Sequence, residues 1–249
     1  MGGKRLAVLL SLVPVAACAA EGAEQQPTGD LRVEVGSTDD LQLFGVADAP
    51  RPDTDELPLF EIFAASTTGS SSRSLGIVAV DAAVDRTTRS LAWIDPIGTL
   101  WVAPLESAPD RKRSVAEQVI PGLAASHGRL AYAVRVDGPD TAPFVLDLRN
   151  AERIALADAA GPDEILGFSP AGDEVLVLSG RTGLASLFAL GVNEPSARQL
   201  TNVGLVPGPL LDTSRVAPAP ANRRDVAWSR GGIEYRAAAR MIRVEEPAQ

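Results

Sequence analysis

His127 is the only histidine and Cys18 the only cysteine in this chain of 249 residues. An imidazole works as a general base only where the fold brings it a nucleophile and an orienting carboxylate. Ser126 before it and Gly128 after it put His127 in an exposed turn instead. One histidine and one cysteine cannot fill a zinc shell. Asp53-Thr54-Asp55-Glu56 alternates oxygen donors as a calcium loop does, but it lacks the glycine and distal glutamate of an EF-hand and reads as a solvated loop. Thr38-Asp39-Asp40 and Gly161-Pro162-Asp163-Glu164 read as turns, and Asp110-Arg111-Lys112-Arg113 as a charged link between strands. Gly167 to Gly172 has the wrong spacing for a nucleophile elbow. No phosphate-cradling loop and no dinucleotide fingerprint occurs. The sequence nominates no catalytic residue, metal ligand or cofactor-binding residue, and no cofactor is expected.

Cys18 has a different context. Met1 to Arg5 carries Lys4 and Arg5, and Leu6 to Ala17 is an uncharged run that ends in small residues. This is the layout of a secretory signal peptide. The run is shorter than the roughly 20 residues of a membrane-spanning helix, and Pro14 interrupts it. Val15-Ala16-Ala17-Cys18 resembles the lipobox of bacterial lipoproteins. The competing reading, a plain Ala-x-Ala cleavage site, requires the position of the sole cysteine to be a coincidence.

The lipobox resemblance implies removal of residues 1–17 and acylation of Cys18, with palmitate-type chains in a diacylglyceryl group and often a third chain on the amine. Each buried methylene contributes about 0.8 kcal/mol, so several chains hold durably where one does not. In the family's sorting pattern an aspartate after the cysteine favours the inner membrane. Ala19 stands there, so the outer membrane is expected in a two-membrane cell. Residues 18–30 are small, polar and acidic, a flexible tether.

The charge balance of 23 basic against 32 acidic residues gives −9, and loss of Lys4 and Arg5 takes it to −11. Such a surface repels nucleic acid and anionic headgroups, so no nucleic-acid partner is expected and attachment must come from the acyl chains on Cys18. Residues 31–249 suffice for one large all-β domain or two small ones. With no second cysteine, packing must carry stability.

No segment after residue 30 sustains a helical apolar period, and short apolar runs bounded by Gly and Pro remain. Leu91-Ala92-Trp93-Ile94, Leu130-Ala131-Tyr132-Ala133, Val175-Leu176-Val177-Leu178 and Val226-Ala227-Trp228-Ser229 each precede a turn and a second apolar strand. Those second strands begin at Leu100, Phe144, Leu187 and Ile233. Asp95-Pro96-Ile97-Gly98 suits a type I turn. Asp137-Gly138, Gly180 with Gly183, and Gly231-Gly232 offer positive-φ positions for hairpins. The first strands start 39, 45 and 51 residues apart, the period of a four-stranded propeller blade. Trp93, Trp101, Tyr132 and Trp228 fall inside these strands, which suits core packing better than a sugar platform.

Phe168-Ser169-Pro170-Ala171-Gly172-Asp173-Glu174, the strand Val175 to Leu178, the turn Gly180 to Gly183, the strand Leu187 to Leu190 and Ala197-Arg198-Gln199-Leu200-Thr201 together resemble the WD40-like (PD40) repeat of TolB-type β-propellers. Alanine stands at 171 where that family has aspartate. The likeness is specific over residues 164 to 201 and weaker elsewhere. Leu41 to Val46 and Leu59 to Phe63 make a further pair, split by the insert Ala49 to Pro58. The expected fold is an all-β propeller, residues 31–249, of about five to six four-stranded blades, some degenerate. Inner strands should read as continuous apolar runs. Leu31 to Val35 pairing with Met241 to Val244 is the expected closure.

The resemblance implies the fold and not a partner. The expectation is a lipid-anchored, non-catalytic module of the bacterial cell envelope that binds or scaffolds an envelope protein. The alternatives are a propeller enzyme of hydrolase or lyase type, and a small-ligand or glycan binder.

Overall fold

The computed structural model describes residues 31–47, 59–69, 71–157, 160–182, 186–201, 227–229, 232–237 and 240–244. Cys18, the leader, the tether and Asp53 to Glu56 lie outside them. The first sheet holds β1 (Leu31–Ser37), β2 (Leu41–Ala47), β3 (Phe60–Ser66) and β4 (Ser72–Ala79). The second holds β5 (Asp81–Asp85), β6 (Ser90–Ile94), β7 (Leu100–Pro104) and β8 (Arg113–Ala116), with a 3-10 turn at Leu105–Ser107. The third holds β9 (Val119–Ser126), β10 (Arg129–Arg135), β11 (Thr141–Asp147) and β12 (Arg153–Ala155). The fourth holds β13 (Asp163–Phe168), β14 (Glu174–Ser179), β15 (Ser186–Gly191) and β16 (Ala197–Gln199). The fifth has β17 (Ala227–Ser229), β18 (Gly232–Ala237) and β19 (Arg240–Val244). All pairings are antiparallel between consecutive strands.

Local chemistry accounts for the hairpins. In the β6–β7 turn Gly98 N–H donates to the Asp95 carbonyl at 3.0 Å, and Asp95 Oδ1 accepts from Ile97 N and Thr99 N. Between β9 and β10 the loop is two residues, His127 and Gly128, with φ of 58° and 77°, the type I′ geometry that matches strand twist. In the β13–β14 turn Ser169 Oγ accepts from Asp173 N and Glu174 N, and Gly172 has φ 75°. The closing Leu200-Thr201 is also explained: Thr201 is buried and its Oγ1 accepts from Leu187 N at 3.0 Å. Gly180, expected at positive φ, is not among the positive-φ glycines. A Cβ there would meet Pro162 Cδ at 2.7 Å, so close approach requires that glycine. Gly183 and Gly231 lie outside the described residues.

The apolar clusters lie between consecutive sheets. Leu43, Ile62, Leu91 and Trp93 join the first two, and Ile94, Leu100, Leu130 and Tyr132 the second and third. Ala131, Val145, Ile165 and Val175 join the third and fourth, and Leu176, Leu187 and Ile233 the fourth and fifth. Each fully buried Leu or Ile contributes about 1.5–3 kcal/mol, which answers the lack of a second cysteine.

The first strands β1, β5, β9 and β13 pack side by side at the centre. Continuous burial holds for the second strands, as in β6 and β14. Among the first strands, β5 is buried throughout, whereas β9 and β13 are only partly buried. The expected closure is also not observed. Among the described residues β1 pairs with β2 and β19 with β18, because each strand's partner is its neighbour in the chain.

Candidate functional site

Two hollows lie among the described residues. The central one, about 480 Å³, lies between β1, β5, β9 and β13 and is lined largely by small and apolar residues such as Val35, Ala83, Ala124 and Ile165. It takes in two acids, Glu34 and Asp81; Asp81 is 1% exposed, and its Oδ2 accepts from Gly122 N at 2.9 Å and Leu123 N at 2.8 Å in the next sheet. At the other end of β5, Asp85 Oδ1 accepts from Gly128 N at 3.0 Å, and Oδ2 from the N–H and hydroxyl of Thr88, each at 2.7 Å. These carboxylates bind one sheet to the next. Sequence reading passed over both. Their signal was two aspartates bracketing the apolar Ala82-Ala83-Val84, since a buried charge must be paired or hydrogen-bonded.

Asp163 corrects the turn reading of residues 161 to 164. It opens β13, is 1% exposed, and pairs with Arg181, whose side chain is 7% exposed and whose Nη2 lies 3.1 Å from Oδ2. Thr141 of the preceding sheet donates to the Asp163 carbonyl and accepts from its N–H. Thr38-Asp39-Asp40 is the expected turn, with Thr38 Oγ1 donating to Asp40 Oδ1 at 2.9 Å. Asp39 pairs with Arg86, and Asp40 with Arg89, which also reaches Glu106. The Arg89 hydrogen bond holds the Asp40 carboxyl down at about 2, and the same guanidinium lowers Glu106. Lys112 of the 110–113 link sits 4.5 Å above the Trp101 ring.

The aromatics lie where expected. Trp93 and Tyr132 are buried, Trp101 is half-buried with Nε1 donating to Asp95 Oδ2 at 2.9 Å, and Trp228 packs on the cluster between the fourth and fifth sheets. Burial pushes the Tyr132 phenol up, opposed by the nearby Arg153. His127 is exposed, with Nδ1 2.8 Å from Ser126 Oγ. Among the described residues no group of three or more His, Cys, Asp or Glu could hold a metal ion. No described helix is long and apolar enough to cross a membrane.

The second hollow, about 510 Å³, lies between the second and third sheets and takes in the β6–β7 turn, the start of β9 and the β10–β11 turn. Two large apolar residues at its lips face solvent: Ile97 is 86% exposed and Val136 58%. Arg135 and Asp137 stand beside Val136, and neither side chain has an ion pair among the described residues.

Small antiparallel sheets packed face to face around central first strands define a β-propeller. No protein-family model and no curated protein matches the sequence. Solved structures show the fold. TolB from Acinetobacter baumannii superposes with a TM-score of 0.54 at 12% identity, over 85% of this chain and 52% of that one. A TolB-designated protein from Agrobacterium tumefaciens gives 0.52 at 16% identity, over 69% and 62%. Dipeptidyl peptidase 4 from Porphyromonas gingivalis gives 0.53 at 10% identity, over 81% and 35%. The chain thus spans about half to three-fifths of the two TolB structures. Its fold is a β-propeller, similar to those of the TolB structures.

Proposed function

We propose that this chain is a lipid-anchored propeller of the bacterial cell envelope that binds another envelope protein without catalysis. The observation that carries the reading is the pair of exposed apolar turn tips, Ile97 and Val136, at the lips of one cleft. Exposed apolar groups gathered on a rigid framework mark an interaction site more often than a random surface does.

The occupant is an extended segment of the partner, with an apolar side chain seated between the two tips. The Arg135 guanidinium and Asp137 carboxylate, which have no ion pair among the described residues, are placed to take charges of opposite sign on that segment. Of the two acids that line the central cavity, Asp81 is engaged with backbone N–H groups and Glu34 is exposed. Anchoring through acylated Cys18, the outer membrane as the site and residues 18–30 as tether complete the proposal. The sequence supports them by the lipobox resemblance.

The test is affinity capture from native membranes with wild-type protein and an Ile97→Asp/Val136→Asp variant. The proposal expects one protein enriched by wild type and reduced at least tenfold by the variant. Equal recovery from both refutes docking at this cleft.

A further inference from the structure

The turns that join first to second strands lie at the opposite end of the sheets from the cleft, and at one point they gather cations. His127 sits at φ 58°, in the left-handed region where Gly, Asn, Asp and His are enriched. Nδ1 lies 2.8 Å from the Ser126 hydroxyl, and where Nδ1 accepts that proton the ring presents Nε2–H as a donor. The ring leans on Gly172 of the next sheet, where an added Cβ would come within 2.8 Å of its Cγ and Nδ1.

Arg149, from the β11–β12 loop, lies flat on Gly128. A Cβ there would stand 2.5, 2.6 and 2.7 Å from Cζ, Nη2 and Nη1, near-equal distances that require a face-on guanidinium. That guanidinium has no hydrogen bond or ion pair among the described residues. Arg129 is third, with Nη1 donating to the Gly172 carbonyl at 2.8 Å and Nη2 to Asn193 Oδ1 at 3.2 Å, and with no carboxylate partner. The nearby carboxylates accept hydrogen bonds from other groups: Asp85 from Gly128 N and Thr88, Asp147 Oδ1 from Arg149 N and Asn150 N, and Asp173 Oδ1 from Ser169 Oγ. A chain of net charge −9 thus brings its only imidazole and two arginines with no ion pair among the described residues to two glycines.

We propose that Arg149, His127 and Arg129 form an oxyanion site that takes a carboxylate or phosphate group. Arg149 supplies a planar fork suited to two oxygens, His127 Nε2–H a further donor, and Arg129 the supporting charge. The missing Cβ atoms of Gly128 and Gly172 let the guanidinium and ring settle against the backbone. This site is independent of the cleft, so either stands if the other fails.

The single histidine makes the test specific. In the full chain labelled with 15N-histidine, the ring resonances are followed at fixed pH and ionic strength as chloride is replaced by phosphate or by acetate. The proposal expects a saturable displacement with at least one of the two, and the tighter of them identifies the group. Arg149→Gln should weaken the apparent affinity at least tenfold, with unchanged backbone resonances in β10 and β11, and Arg149→Lys should fall between. A linear drift equal to that in chloride overturns the site, as does saturable binding that Arg149→Gln leaves unchanged.

Discussion

The Asp81 carboxylate reaches across to the third sheet and accepts the N–H groups of both Gly122 and Leu123, at 2.9 and 2.8 Å. Hydrogen bonds to a charged acceptor contribute about 1.5–3 kcal/mol each, and a buried donor left unsatisfied is costly. Asp81→Ala should therefore lower unfolding free energy by about 3 kcal/mol, read from the urea midpoint at unchanged slope. Asp81→Asn should cost less. An Ala variant as stable as wild type contradicts this role.

Asp163 and Arg181 share one buried environment. Removing one partner of such a pair costs about 3–5 kcal/mol, because the other charge remains buried. Arg181→Met should be severely destabilised, and the double variant Arg181→Met/Asp163→Asn should recover much of the loss. Additive losses in the cycle would show that the two act separately.

Gly172 carries two demands, φ 75° and the His127 ring against its Cα, whereas Gly138, at φ 54°, has open space around it. Positive φ penalises both Ala variants by about 1 kcal/mol. Gly172→Ala should cost about 1 kcal/mol beyond that, and His127→Ala in the same chain should remove the excess. Equal melting losses at 172 and 138 would show that the ring yields freely.

The Asp40 carboxyl, held by Arg89, titrates at about 2 against an ordinary 3.8. The folded value is the lower one, so this contribution is complete above about pH 3.8 and is lost as pH falls through about 2. A carboxyl 13C titration should show the Asp40 midpoint near 2 in wild type and moving up towards 3.8 in Arg89→Ala, with Glu106 moving up as well. An unmoved Asp40 midpoint contradicts the assignment.

How much of this was legible depended on how local the cause was. Hairpins such as Ser169 to Leu190 follow from turn residues a few positions apart, and so do the four paired strand starts. The burial of Asp81, Asp85 and Asp163 is set by backbone groups of other strands. Asp81 and Asp85 bond groups 41 to 43 positions away, and a local reading turned Asp163 into a loop acid. The closure between the first and last strands failed likewise, since apolar pattern alone does not choose between partners. The cleft needed the turns of two sheets brought side by side, and Ile97 alone looked like any turn residue.

The most direct measurement is site-specific photocrosslinking in intact cells, with the crosslinker at position 97, at 136, and at Thr87 on the opposite end of the sheets. Binding at the cleft predicts one common protein adduct from 97 and 136 that is absent from 87. The same adduct pattern from all three positions, or an adduct only from 87, would contradict it.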